Sequence, residues 1–250
     1  MISSIDYETT FIGAPLLLQD VCLIKPMTVL DKIRLGSKYN SYLSLLTLSS
    51  SDIEDILLQK LGESMRELEV ITPFEYLLLS AENNETFFME LKEAFSTFIQ
   101  EEIFIIPKAK IIFVGDMNLQ KIINQDNFPR FQEILRVQNH LDTPEEIPEN
   151  ENYMQRKFRL KRKLLKEAKA KQAKKDEKSP DFIDLMSSLC VMNIGITWEN
   201  IGRTPIYTFY ELLGRNQKRE KYELDIRSLL AGADKKKVKL EYWITKNENN

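Results

Sequence analysis

Apolar and polar residues alternate with a helical period through most of the chain, but the N-terminal portion begins differently. Leu16 to Ile24 carries two short apolar runs and is predicted as a strand pair or a bent strand. Thr28, with Asp31 three residues later, predicts a helix start because the two side chains can cap each other's backbone N–H groups. Apolar residues recur at helical spacing as far as Leu46, and Gly36 is expected to weaken or split this helix.

Three further segments predict helices. Ser51 to Glu54 has the form of a capping box, so a helix is expected to start there. Thr72 to Glu75 combines a capping hydroxyl, a proline at the first helical position and a glutamate at the third. Glu85 to Phe98 places its aromatic residues on one face, which indicates a helix packed on the core.

A β-hairpin is predicted in the middle of the chain. Its strands are Glu102 to Ile106 and Lys110 to Val114, with the turn at Pro107 to Ala109. A helical stretch is expected next, over Leu119 to His140.

The last hundred residues show a change of composition. Thr143 to Asn152 is acidic and contains two prolines, which indicates a linker, and Tyr153 to Lys178 is rich in basic residues and strong helix formers. Alternating apolar positions at Val238 to Ile244 predict a terminal strand. The helices expected between the basic segment and this strand are Pro180–Met192, Thr197–Gly202, Thr204–Leu213 and Lys218–Leu230.

The expected fold class is α+β, predominantly α. It has a short N-terminal strand pair, a central β-hairpin with packed helices, and a helical C-terminal portion. The 250 residues include only 8 glycines and 9 prolines, which favours helices over sheet architectures rich in turns. We expect an α+β domain over 1–141, an acidic linker and basic helix over 142–179, and a helical portion with a terminal strand over 180–250.

Charge is distributed unevenly along the chain. Arg156 to Lys178 contains twelve basic and three acidic residues, a local balance of +9, so the net charge of −3 leaves −12 for the rest. Tyr153, Leu160, Leu164 and Ala168 mark one narrow apolar stripe on this basic helix. The basic segment suits a docked surface helix, a protein-binding surface or a helix that binds phosphates, and disorder is a further alternative. The acidic segment Asp142 to Glu151 could also neutralise it within the chain.

Candidate chemistry is sparse. His140 is the only histidine, and no serine or cysteine stands in a nucleophile-elbow pattern that would complete a triad with it. The glycines form no phosphate-binding loop. We expect no catalytic, cofactor-binding or metal-binding site. One enzymatic alternative is a magnesium-dependent nuclease built from Glu101, Glu102, Lys110 and Asp116 around the hairpin.

The candidate interaction residues are instead basic and aromatic. No secretory signal or membrane-spanning stretch is apparent, and Cys22 and Cys190 lie far apart in apolar surroundings, which indicates buried thiols and a reducing compartment. Aromatic residues concentrate in the last quarter and are typical of interface anchors as well as of cores. The residues selected are Arg156, Arg159, Lys161, Arg162, Lys163, Lys166, Trp198, Tyr207, Tyr210 and Trp243.

Two regions carry a family resemblance. Val21 to Leu48, where an apolar strand leads through a proline into a helix with a Gly-x-x-Tyr-like element at Gly36 to Tyr39, resembles tail-assembly proteins of bacteriophages that infect low-GC Gram-positive bacteria. The C-terminal segments that look like the final helices of that family are Trp198–Ile201, Thr204–Tyr207, Phe209–Leu212 and Leu230–Ala233. The middle of the chain and its long basic helix depart from the pattern.

The resemblance implies a non-enzymatic, chaperone-like protein of virion morphogenesis. Its partners would be tail-tube or tape-measure subunits in the cytoplasm of the infected host cell, with association with the virion as a further option. No catalytic residues come with the resemblance. The alternative is a nucleic-acid-binding accessory protein that uses the basic helix, residues 156–178.

Overall fold

The predicted fold class is confirmed: the chain is α+β and predominantly helical, and the part of it that the structure describes contains two small antiparallel sheets. A computed structural model describes residues 5–61, 71–144, 153–175, 180–192, 195–234 and 238–245. No helix in these ranges is long and apolar enough to cross a membrane.

The first sheet is the predicted strand pair. β1 (Leu16–Leu18) and β2 (Cys22–Ile24) run antiparallel. Gln19 and Asp20 form the turn between them with φ angles of 40° and 61°, in the left-handed region where Asp is better tolerated than most residues. A short helix that the sequence pattern did not predict, α1 (Tyr7–Phe11), precedes this sheet.

The first predicted capping box is also confirmed. The Thr28 N–H donates to the Asp31 carboxylate at 3.0 Å, and the Asp31 N–H donates to the Thr28 hydroxyl at 3.2 Å. They start α2 (Val29–Leu35), which is followed by α3 (Ser37–Leu46). Gly36 splits the two helices as expected, with a φ angle of 56°.

Helix α4 (Ser50–Leu61) starts slightly earlier than predicted. The Ser49 N–H donates to the Asp52 carboxylate at 2.9 Å, and the Asp52 N–H donates to the Ser49 hydroxyl at 3.2 Å. The predicted pairing of Ser51 with Glu54 is therefore wrong. A capping box joins two residues three apart, and both Ser49 with Asp52 and Ser51 with Glu54 have this spacing. The observed pair leaves Glu54 available for contacts with another helix.

The next two helices begin where the sequence predicted. Thr72 and Glu75 form a reciprocal capping box at the start of α5 (Pro73–Asn83). The Asn84 side chain caps α6 (Glu85–Phe98). Both helices turn apolar faces towards the core.

The predicted hairpin is confirmed and gains a third strand. β3 (Ile103–Ile106) pairs with β4 (Ile111–Val114), and a 3₁₀ turn at Pro107–Ala109 connects them. β5 (Ile122–Ile123), which was not predicted, extends the sheet in the order β3-β4-β5.

This third strand explains why the helix expected over 119–140 is wrong in its first part. The backbone near Ile122 pairs with β4, and the Asn127 side chain donates to the Ile122 carbonyl at 2.9 Å. These bonds replace the helical ones. Helix α7 (Phe128–Gln138) therefore begins only after Asn127.

The basic segment is helical, as predicted. α8 spans Tyr153–Lys175 and is followed by α9 (Phe182–Val191), which confirms a helix within the expected range. The predicted linker at 145–152 and the last predicted residues of the basic helix, 176–178, lie outside the described residues. The helix expected at 197–202 is a turn that leads into a short 3₁₀ segment at Ile201–Arg203.

The last helix corrects another prediction. A single helix, α10 (Ile206–Leu230), replaces the two that were expected over 204–213 and 218–230. Gly214 lies inside it, and a glycine there costs only about 1 kcal/mol relative to alanine. Burial of Phe209 and Leu213 just before the glycine outweighs that preference.

The terminal strand expected over 238–244 is wrong for the described residues 238–245, which have no strand assignment. This segment lies along α10 instead. The Tyr242 ring contacts Tyr222 edge-on with centroids 5.7 Å apart, and the Arg215 guanidinium donates to the Thr245 carbonyl at 2.6 Å. Leu240, Tyr242 and Ile244 stay exposed, so the alternating pattern does not mark a buried face of this segment.

One buried apolar cluster connects the beginning of the chain to α10. It extends from Ile5 to Leu213 and includes a group of aromatic rings from α5, α6 and α7. These rings, with centroids 5.1 to 6.3 Å apart, belong to Phe74, Phe95, Phe128 and Phe131. The division at 141/142 and 179/180 stays a prediction.

The start of α10 is fixed to the N-terminal portion by backbone contacts. The Ile206 N–H donates to the Met27 carbonyl at 2.8 Å, and the Val29 N–H donates to the Thr204 carbonyl at 3.0 Å. Gly13, with a φ angle of 74°, lies so close to Pro205 that an added Cβ would approach its ring carbon to 2.3 Å. Only glycine fits this approach without a shift of the backbone.

Candidate interaction surface

Helix α8 is built from residues with high intrinsic helix propensity. Tyr153 to Lys175 contains no glycine, no proline and no β-branched residue. Its hydrogen-bonded backbone therefore forms readily, and packing has only to decide which face meets the rest of the protein.

The inner face of α8 meets α4. Leu160 is buried and forms a small apolar cluster with Leu58 and Leu57. This cluster is separate from the main core, so α8 is attached to the body of the protein through a limited apolar contact.

Ion pairs surround this apolar contact. The Lys163 amine lies 2.6 Å from Asp52 and 3.0 Å from Asp55, and the Arg159 guanidinium lies 3.2 Å from Glu54 and 3.5 Å from Asp55. Arg156, Arg159 and Lys163 were candidates for contacting a partner, and the structure pairs all three with α4. The distance from Arg156 to Glu54 is 3.9 Å.

The titration of Asp52 and Lys163 is coupled to this contact. Burial acts to raise the pKa of Asp52, but hydrogen bonds from Lys163 and Ser49 outweigh it and hold the pKa below its usual range. Burial acts to lower the pKa of Lys163, and the two α4 carboxylates outweigh it and raise the pKa. Both groups are therefore charged at neutral pH, which maintains the ion pair.

The outer face of α8 carries a second apolar stripe that sequence analysis missed. Met154, Phe158 and Leu165 are separated by four and seven residues, so they lie on one side of the helix, and each is more than half exposed. We call these three residues the outer stripe. The single stripe predicted through Leu160 and Leu164 describes only the inner side, where Leu160 is buried.

Exposed basic side chains border the outer stripe. This group includes two of the predicted interaction residues, and we call it the basic rim. Its members are Lys157, Lys161, Arg162 and Lys169. Lys166, another predicted residue, is also exposed, but it has an interaction of its own within the chain.

The predicted aromatic residues occupy three different environments. Trp198 is 80% exposed and stands in the turn before the 3₁₀ segment. Trp243 is half-buried, and its ring centroid lies 6.2 Å from that of Tyr242. Tyr207 is buried and Tyr210 is half-buried, so packing occupies most of their surface.

Tyr210 is one of three aromatic residues around the Lys32 amine, a cluster that was not predicted. The Lys32 amine donates to the Tyr210 hydroxyl at 2.9 Å and lies 4.4 Å from the ring centroid of Phe182 and 5.1 Å from that of Tyr39. Cation–π contacts of this kind join α2 to α9 and α10. Phe182 and Tyr210 are far from Lys32 in the sequence, so no local pattern indicated this cluster.

The residues considered for catalysis are engaged in separate contacts. The ring of His140 lies 5.9 Å from Tyr207 and 5.5 Å from Tyr210. Lys110 pairs with Glu75 at 2.7 Å, whereas Glu101 pairs with Lys121 at 3.2 Å. In the described ranges, no group of three or more His, Cys, Asp or Glu side chains is placed to hold a metal ion.

Comparison with known proteins gives one match. Residues 171–248 match the family model described as the YomV second domain, a phage-associated family of the Bacillus phage SPBc2 type. The matched segment begins in the last turns of α8 and includes α9 and α10. This similarity supports the view that the chain is a phage protein. Neither the comparison with curated proteins nor the comparison with solved structures found a match.

Proposed function

We propose that this chain is a non-enzymatic tail-assembly protein that uses the outer stripe of α8 to bind an apolar helix of a tape-measure or tail-tube subunit. The observation that carries the proposal is the exposure of Phe158 beside the basic rim, on a helix whose opposite face is already docked. The proposed site of action is the cytoplasm of the infected host cell.

The spacing of the outer stripe suits a helical partner. Apolar anchors four and seven residues apart present one continuous line, which is how a helix is recognised by an amphipathic partner helix. The ion pairs of Arg159 and Lys163 with α4 hold α8 in place, so little conformational entropy is lost when the outer stripe becomes covered.

The basic rim specifies the charge of the partner. Four exposed basic residues around the outer stripe favour a helix whose own apolar face is bordered by Asp and Glu. Their field would also speed encounter with an acidic partner. This charge pattern is what would distinguish the client from other exposed helices.

Two observations connect this chain to phage proteins. The YomV second-domain match supports phage origin. The tail-assembly role rests on the resemblance of Val21 to Leu48 and of the C-terminal segments to phage tail-assembly proteins, and it is part of the proposal.

Binding of purified tail subunits from the same phage tests the proposal. Phe158→Asp should weaken binding of the tape-measure or tail-tube subunit at least tenfold in isothermal titration calorimetry, because a charge replaces the central apolar anchor. Leu224→Asp is the matched control, since Leu224 and Phe158 are both 63% exposed and both lie on helices. The control should bind like the unchanged protein.

Far-ultraviolet circular dichroism checks that both variants stay folded. Equal affinity of the two variants for every tail subunit tested would contradict a binding role for the outer stripe. Absence of binding by the unchanged protein would contradict the tail-assembly role itself.

A second function, nucleic-acid binding, is favoured by the basic rim alone. It predicts binding of a fluorescent oligonucleotide that weakens steeply as salt is raised. Lys161→Gln combined with Arg162→Gln should reduce that binding, and Lys221→Gln combined with Arg227→Gln, on α10, should not. A flat response to salt would exclude this function.

A further inference from the structure

Two adjoining cavities meet beside α7 and the start of α4, and the second of them is also lined by α8. Their volumes are about 620 and 670 Å³. The same residues line both cavities where they meet, which makes them two parts of one cleft. These shared residues are Ser49, Arg136, Leu141 and Pro144.

The larger cavity is cationic. Five basic side chains line it against the two carboxylates of Asp52 and Asp142, and two of the five, Arg159 and Lys163, are paired with acidic residues of α4. We call it the cationic part of the cleft, and its basic residues are Arg136, Arg159, Arg162, Lys163 and Lys166. Ser49 and Ser51, at the N-terminal end of α4, also line it, next to the Asp52 carboxylate that caps this helix end.

Arg136 stands at the junction of the two cavities with part of its hydrogen-bonding capacity unused. Its Nη2 donates to the Thr47 carbonyl, whereas its buried Nε has no hydrogen-bond partner. Among the described residues, no carboxylate lies within ion-pairing distance of this guanidinium. A half-buried arginine that has no carboxylate within ion-pairing distance, only the longer-range attraction of Asp52, is a favourable position for a bound anion.

The smaller cavity is lined by rings. Tyr7, His140 and Tyr207 contribute aromatic surface, and Pro73 and Pro129 contribute apolar walls. We call it the aromatic part of the cleft. His140 is held there with a φ angle of 54°, between the rings of Tyr207 and Tyr210.

Polar groups are also present in the aromatic part. Gln125, Gln132 and Glu133 line it. The Gln132 amide nitrogen donates to the carbonyls of Leu46 and Leu48 at 2.9 and 2.8 Å, which fixes the orientation of that side chain. A flat ring with hydrogen-bonding edges matches such a mixture of apolar walls and fixed polar groups.

We infer that this cleft binds a nucleoside phosphate, with the phosphate beside Arg136 in the cationic part and the base in the aromatic part. A cavity of about 620 Å³ is large enough for one base and its sugar. The ligand is either a free nucleotide or the end of a single nucleic-acid strand. The inference does not depend on the proposed tail-assembly function, because Tyr7 and Arg136 belong neither to the outer stripe nor to the basic rim, although Phe158 and Arg162 also line the cationic part.

Calorimetric titration of the full chain with four probes tests this inference. The probes are AMP, UMP, ribose 5-phosphate and inorganic phosphate. AMP or UMP should bind at least tenfold more tightly than the two probes without a base, because only they fill both parts of the cleft. A short single-stranded oligonucleotide with a 5′-phosphate identifies the source: tighter binding than the mononucleotide indicates a strand end, and weaker binding indicates a free nucleotide.

Matched variants locate the binding. Tyr7→Ala should weaken nucleotide binding at least fivefold, whereas Phe11→Ala should not, since the two residues are 43% and 41% exposed on the same helix and only Tyr7 lines the cleft. Arg136→Gln should also weaken binding. Arg162→Gln, at an exposed position of the cationic part, provides the same test without the risk of unfolding, and Arg227→Gln is its control.

The inference is overturned by any of three results. The first is no binding of AMP or UMP at millimolar concentration. The second is equal affinity for inorganic phosphate and nucleotides, which would mean a nonspecific anion site. The third is unchanged affinity in both Tyr7→Ala and Arg162→Gln. None of these results affects the tail-subunit experiment, so the two proposals can fail separately.

Discussion

The amine of Lys163 lies 2.6 Å from the Oδ1 atom of Asp52, which connects the middle of α8 to the first turn of α4. The same carboxylate group caps α4 through Ser49. A single side chain thus both starts one helix and positions another. The orientation of α8, and with it the exposure of the outer stripe, depends on this arrangement.

Replacing Asp52 tests that dependence. Asp52→Asn removes the charge that attracts Lys163 and weakens the cap of α4, so the free energy of unfolding should fall by about 1 kcal/mol. Hydrogen exchange in α8 should accelerate at the same time. Urea unfolding and exchange mass spectrometry measure the two effects.

Glu223→Gln is the control for this substitution. Glu223 is half exposed and pairs with Arg219 and Arg227 of its own helix, at 3.8 and 3.6 Å, so its replacement should leave stability almost unchanged. A decrease in the free energy of unfolding as large as that of Asp52→Asn would show that the loss of any carboxylate has the same effect.

The apolar contact of α8 with α4 has a separate test. Leu160→Ala should lower the free energy of unfolding by about 2 kcal/mol, at the low end for a buried leucine because its cluster is small. Leu164→Ala, four residues further along and nearly half exposed, should cost less than about 1 kcal/mol. Equal losses in urea unfolding would mean that α8 is not docked through Leu160.

The pH dependence of stability follows from the altered pKa of Asp52. Because this pKa is lower in the folded protein than the ordinary value of 3.8, the ion pair stabilises the fold above that value. The contribution is lost as pH falls through the folded pKa. The difference in stability between the unchanged protein and Asp52→Asn should therefore shrink below pH 3.8, and a difference that is constant from pH 7 to pH 2.5 would contradict the pairing.

Thiol reactivity distinguishes the two cysteines. Burial, with a contribution from Glu101, raises the pKa of Cys22 to about 12, so this thiol stays protonated at pH 8 as well as being inaccessible. Cys190 is half-buried. We expect one cysteine to react with Ellman's reagent in the native protein and two to react in urea. The reaction of the native protein should be absent in Cys190→Ala. Rapid reaction of Cys22 in the native protein would contradict its burial.

Local signals explain which parts of the fold were predictable. The helix starts at Thr28 and Thr72 were predicted because each capping box is formed by residues only three apart. The hairpin was predicted because its two strands and turn lie together in the sequence. β5 was missed because two residues carry no periodicity, and its existence depends on pairing with β4.

Long-range packing explains the errors. Two separate helices were expected on either side of Gly214, but burial of Phe209 and Leu213 keeps α10 continuous. The alternating residues at 238–244 suggested a strand, but the neighbouring surface is a helix rather than a sheet edge. Neither outcome can be derived from the local pattern.

The candidate surface was predicted only in part. Sequence analysis identified the basic helix but not which of its faces is exposed, so Arg156, Arg159 and Lys163 were grouped with the truly exposed Lys161 and Arg162. A signal was present in α4, where Asp52, Glu54 and Asp55 lie close together and complement a basic partner. Recognising it would have required pairing two helices about a hundred residues apart.

Site-specific photo-crosslinking in infected cells tests whether the outer stripe of α8 contacts a tail subunit. Photoreactive p-benzoylphenylalanine would be placed at position 158 and, in a control, at position 224. We expect a covalent adduct with a tape-measure or tail-tube subunit from position 158 and none from position 224. The same adducts from both positions, or no tail subunit among the adducts from position 158, would contradict it.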